Sequence, residues 1–142
     1  MSTLAVCALL SAAPVAAAAD APCLVNYKAE GGFFAGRRFS TWGVVAGVAP
    51  ADAYKRIYLE GTKSGLKVAQ SEKDLGIISF EQVNAGVTNT GVHVNIPWNV
   101  TIEADGTGSK VSVTKTTPGG YATGEDFQQK SMCAIIDAAR GQ

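Results

Sequence analysis

"VHVNIPWNVTIE", residues 92 to 103, is the stretch on which the fold turns. Val92, Val94, Ile96, Trp98, Val100 and Ile102 alternate with His93, Asn95, Pro97, Asn99, Thr101 and Glu103. That period of two belongs to a strand with one face buried and the other in water. Pro97 has no N–H to give to a ladder, so the strand is expected to lie at an edge or to be bulged at that point.

Strand signals continue on both sides. Downstream, "ADGTGSK" (104–110) reads as a hairpin turn into "KVSVTKT" (110–116), which ends at Pro118, Gly119 and Gly120. Upstream, "LKVAQSEKDLGIISFEQV" (66–83) reads as a hairpin of Leu66 to Gln70 and Ile77 to Val83, with a polar turn over Ser71 to Gly76. "RRFSTWGVVAGV" (37–48) is rich in β-branched and aromatic residues and forms a first strand. Residues 20 to 36, containing "AEGGFFAG", carry too many glycines for a regular element and are expected to be an irregular N-terminal segment holding an apolar patch.

Two helices frame the strands. In "APADAYKRIYLEGTKSG" (49–65) Pro50 suits a first helical turn, Tyr54, Ile57, Tyr58 and Gly61 share a face, and Gly65 closes the helix. A second helix runs from Gly124 to Arg140, with Thr123 as its cap and Asp126 in the capping-box position. Its apolar face is expected to be Phe127, Ala134 and Ile135, with Cys133 and Ile136 beside it.

The order strand, helix, four strands, helix implies an α+β fold: a single antiparallel twisted sheet of about five strands with both helices on one face. Over residues 37 to 140 this order is similar to that of helix-grip domains, including those of lipoproteins in the bacterial outer-membrane assembly machinery. The likeness is one of element order and carries no functional motif.

At the N-terminus, Leu4 to Ala19 is free of charge and ends in small residues, with Ala17 and Ala19 fitting an A-x-A cleavage site. Residues 1 to 19 therefore read as a secretory signal peptide and residues 20 to 142 as a single domain. The apolar run falls short of the roughly 20 residues of a spanning helix, and Ser11 and Pro14 interrupt it, so no integral membrane segment is expected in the mature form. No Lys or Arg precedes the apolar part, which points to a start further upstream or to trimmed first residues. An earlier start would also make Cys7, after "LAV", a lipobox candidate; otherwise soluble export to the periplasm or beyond is the expectation.

Export leaves two cysteines in an oxidising compartment, Cys23 and Cys133, which are expected to form a disulfide. The closed loop of about 110 residues is worth roughly 4 to 5 kcal/mol by chain entropy. The alternative is two separate thiols, one buried on the last helix and one on a loose end.

Charge and motifs exclude more than they assign. Twelve basic and twelve acidic residues are scattered without a basic stripe, so nucleic acid and anionic membranes are not expected partners. One histidine and no C-x-x-C spacing argue against a metal, and no cofactor motif is present. "SGLK" (64–67) and "SVTK" (112–115) both match S-x-x-K, and two matches in a short chain mark the pattern as cheap. "DGTGSK" lacks the Gly-Lys-Ser/Thr ending and following helix of a phosphate loop. His93 would have to serve any triad, and a solvated strand histidine is the plainer account. The expectation is a non-catalytic module that binds another envelope or secreted protein, with Phe33 and Phe34 as candidate contacts. The alternatives are a carrier of an apolar small molecule or lipid, held between the sheet and the C-terminal helix, and a small hydrolase using His93.

Overall fold

The computed structural model describes residues 22 to 141; the leader reading of residues 1 to 19 lies outside them. The elements follow in the order α1 (Pro22–Val25), β1 (Lys28–Gly32), β2 (Gly36–Val45), α2 (Pro50–Lys63), β3 (Lys67–Glu72), β4 (Ile77–Val87), β5 (His93–Asp105), β6 (Gly108–Thr117) and α3 (Glu125–Ala138). All six strands form one antiparallel sheet in the order β1-β2-β6-β5-β4-β3. The α+β class and the single antiparallel sheet gripped by helices stand, with one strand more than expected.

That extra strand corrects the reading of residues 20 to 36. Cys23 lies in the short α1, and Lys28 to Gly32 pairs with Gly36 to Ser40 as an edge strand. β1 is exposed along almost its whole length, so it has no buried face and no alternation to betray it. Its ladder to β2 holds it. Gly31 takes φ +89°, and a Cβ there would strike the Gly36 carbonyl oxygen, so the glycines that argue against a strand are what let these backbones close.

β5 sits inside the sheet, yet Pro97 keeps its expected environment in part. The β5–β6 ladder stops at Trp98↔Lys115, so from Pro97 back to His93 the strand pairs with β4 alone. Opposite that stretch β4 is irregular, its register shifting between Gln82 and Gly86. Asn84 there takes φ +54°, and its N–H donates to Asn95 Oδ1 at 3.0 Å. The inward residues Val94, Ile96, Trp98, Val100 and Ile102 are all buried, whereas Val92, before the strand, is exposed.

The helices cover this inward face. Along α2, Ala53, Tyr54, Ile57 and Gly61 are buried, and Gly61 lies so close to the Phe80 ring that a Cβ would come within 2.5 Å of it. A glycine in mid-helix is unfavourable by itself; here it buys contact between helix and sheet. On α3 the buried stripe is Gln128, Met132, Ile135, Ile136 and Ala139, with Cys133 at its side. The expected face was rotated: Phe127 and Ala134 are exposed. Capping differs as well, because Gly124 is the N-cap and makes no side-chain bond, while Thr123 Oγ1 accepts from Gln128 Nε2 at 2.8 Å.

Both ends of α3 are tied. Arg37 of β2 pairs with Glu125 in the first turn, and Arg56 of α2 donates to the Ala139 carbonyl at 3.0 Å. In the middle, Cys133 is disulfide-bonded to Cys23 over a separation of 110 residues, as expected. Thr41 of β2 donates its hydroxyl to the Cys23 carbonyl beneath the bridge.

Candidate functional site

The sequence places Lys115 in step with Val111 and Val113, so a lysine must point inward with the valines. It does, and it is fully buried. Register sets Phe39 of β2 and Trp98 of β5 on either side of it, and Phe80 of β4 beyond Trp98. The Lys115 ammonium lies 3.4 Å from the centroid of the Trp98 ring, a cation–π contact in a desolvated setting. From above, α3 supplies Gln128 Oε1 at 2.7 Å and Ser131 Oγ at 2.8 Å, both accepting from Nζ. Gln128 is held in turn through its Nε2 bond to Thr123, and Ser131 donates to the Gln128 carbonyl at 3.0 Å.

No carboxylate takes part. Burial alone pushes the Lys115 ammonium down from 10.5 to about 7. Charge is therefore unbalanced at this point of the core, with two neutral acceptors and a π face standing in for a counter-ion.

Beside this cluster is a cavity of about 370 Å³. It opens where three irregularities meet: the end of α2 at Ser64 and Gly65, the β4 register shift beside Val83, and the outer stripe of α3. Phe127, Ser131 and Ala134, spaced i, i+4, i+7, form that stripe, next to the one that grips the sheet. Leu66, Trp98 and Ile135 complete the apolar wall, and Gln82, which accepts from Trp98 Nε1 at 3.3 Å, and Glu60 contribute polar groups. Ser131 belongs to both features: it lines the cavity and accepts the bond from Lys115.

The residues singled out from sequence lie elsewhere. Phe33 and Phe34 form the tip of the β1–β2 hairpin, edge to face at 5.0 Å, and Phe34 is 84% exposed. Cys23 and Cys133 are joined. His93 is exposed at the start of β5, and among the described residues it has no hydrogen bond to a serine, cysteine or carboxylate. Neither S-x-x-K match is on a helix. Ser64 ends α2 and Lys67 begins β3, while Ser112 and Lys115, an odd number of positions apart on β6, point to opposite faces of the sheet. Among the described residues no group of three or more His, Cys, Asp or Glu is placed to hold a metal, and no helix is long and apolar enough to cross a membrane.

No protein-family model matches the sequence, and no curated protein matches it. Among solved structures it is similar to the crystal structure of Ara h 8.0201, with 15% identity and a TM-score of 0.51, over 73% of this chain and 94% of that one. The likeness is one of fold, a helix-grip sheet and its helices.

The lowered Lys115 titration sets the sign of a pH effect. Between about 7 and 10.5 the unfolded chain holds a proton that the folded chain has given up, so stability rises with pH through that window, by at most about 1.4 kcal/mol per pH unit. Below about 7 the penalty is fully present. Urea unfolding at closely spaced pH values should show this slope, and Lys115→Met should remove it while raising stability at pH 6; parallel pH profiles of the two proteins would refute the assignment.

Proposed function

We propose that this chain is an exported, non-catalytic binding module that takes an apolar small molecule into the cavity between the sheet and α3. The cavity carries the reading. Its volume is in the range of small-ligand pockets, and apolar and aromatic walls with a few polar groups are what such pockets use. It also lies beside a core in which Met132 and Ile136 are fully buried, with Ile135 shared between core and cavity wall.

The cavity should bind an environment-sensitive anilinonaphthalene dye, with fluorescence enhancement as the readout. Ala134 is exposed on the cavity wall, so Ala134→Trp fills the space without disturbing the core, and a loss of affinity of tenfold or more is expected. Equal binding by both proteins places the dye elsewhere and overturns the reading.

Export is supported by the leader-like residues 1 to 19 and by the disulfide, which suits an oxidising compartment. Native protein is then expected to begin at Asp20 on N-terminal sequencing; material beginning at Met1 refutes it.

A second reading has its own observation. Adjacent phenylalanines at a hairpin tip, one of them almost wholly in solvent, are an unusual exposure of apolar surface and suit a contact with another envelope or secreted protein. In pull-downs from envelope extracts, a specific partner should be lost with the Phe33→Ser/Phe34→Ser double variant, which retains dye binding. Capture unchanged by the double substitution sets this reading aside.

A further inference from the structure

The cavity has an apolar wall, and behind two of its lining residues, Trp98 and Ser131, lies a fully buried ammonium without a counter-ion. From these we infer that its ligands are apolar acids, amphiphiles whose carboxylate is drawn to Ser131 and, through that hydroxyl, to the charge of Lys115. The inference rests on the cavity reading above and narrows it to a chemical class.

The groups that face Lys115 are neutral on every side. β2 presents Phe39, β5 presents Trp98, and α3 presents Gln128, Ser131 and, at 5.8 Å from ring centroid to ammonium, Phe127. The charged and titratable groups of these elements are engaged or turned outward. Arg37 and Glu125 pair with each other at the start of α3, and Asp126, Lys130 and Asp137 are exposed on α3; the exception is Tyr27, which stacks on Phe39 with a buried hydroxyl that has no hydrogen-bond partner among the described residues. Glu60, on the α2 wall of the cavity, is exposed and accepts from Ser64 Oγ at 3.5 Å.

A lysine kept only for shape would be better replaced by methionine, which fills the same volume without an ammonium to desolvate. What the ammonium supplies is charge, and charge in a desolvated site discriminates strongly between an anion and a neutral molecule of equal length. Ser131 marks the approach. Ser131 both lines the cavity and bonds Nζ, so a carboxylate in the cavity can take the hydroxyl's proton from the Gln128 carbonyl, and that hydroxyl links it to the ammonium. The tail is left against Leu66, Val83 and Ile135.

Linkage makes the claim measurable. An anion binds the protonated lysine, and by doing so holds the proton on it, so binding takes up a proton wherever the free protein has lost it. Since Lys115 of the free protein titrates at about 7, affinity for an acid should be level below that pH and fall as pH rises above it, by up to tenfold per unit.

The test compares octanoate with octanol, by calorimetry or by displacement of the dye, from pH 6 to pH 9. Octanoate should bind at least tenfold more tightly than octanol at pH 6 and lose that advantage by pH 9, while octanol binding stays constant. In Lys115→Met the preference for octanoate should vanish and octanol binding should persist. Lys115→Gln, which keeps a neutral hydrogen-bonding group beside Gln128, is the second variant should the methionine protein fold poorly, and the same loss is expected of it. Equal affinities for the two probes, or a preference that survives both substitutions, overturn the inference and leave the cavity reading in place. Binding of neither probe overturns the inference, and absence of dye binding as well removes the cavity reading with it.

Discussion

Everything in this fold depends on α3 lying across the inward face of the sheet. That face is made by β2, β6, β5 and β4, whose alternation exposes a continuous apolar surface on one side, and burial of such a surface is the dominant favourable term in folding. The cover arrives last in the chain. Met132, Ile135 and Ile136 bring the apolar area, Arg37 and Arg56 hold the two helix ends, and the bridge to Cys23 fixes the middle. A cross-link closing so long a loop removes about 4 to 5 kcal/mol of conformational freedom from the unfolded chain, acting on the one element whose docking closes the core.

Under that cover the molecule buries an ammonium. An aliphatic residue at position 115 would continue Val111 and Val113 and avoid the desolvation of a charge. The groups around Lys115 nonetheless form a connected chain of hydrogen bonds: Nζ donates to Gln128 and Ser131, Gln128 donates to Thr123, and Ser131 donates back to the helix. A network so connected and without a counter-ion is a different matter from a packing error. It keeps a charge behind Trp98 and Ser131, two of the residues that line the cavity.

Much of the fold was legible in the sequence because it is written in periods. The alternation over 92 to 103 gave β5, the helical spacing of Tyr54, Ile57 and Gly61 gave α2, and the two cysteines gave the bridge. What escaped is non-periodic or depends on a neighbour. β1 has no buried face and exists through its partner β2. The face of α3 was misjudged because Phe127 and Ala134 are apolar while Gln128 is not, yet the buried glutamine is the residue that serves Lys115. Lys115 itself could have been found: a lysine in phase with inward valines is a visible anomaly, and "KVSVTKT" shows it once the parity of the strand is followed past Val113. The cavity was beyond reach, since it needs the register shift in β4 and the αL turn at Asn84, which no single residue announces.

The two surfaces considered for binding are joined by one short run of backbone. The Phe33 carbonyl accepts from the Gly120 N–H at 2.7 Å, and Gly119 packs so closely on the Phe34 carbonyl that only a glycine fits. From Gly120 the chain passes through Thr123, the partner of Gln128, straight into the first turn of α3, where Glu125 meets Arg37. The aromatic tip is therefore anchored to the same segment that positions the groups around Lys115.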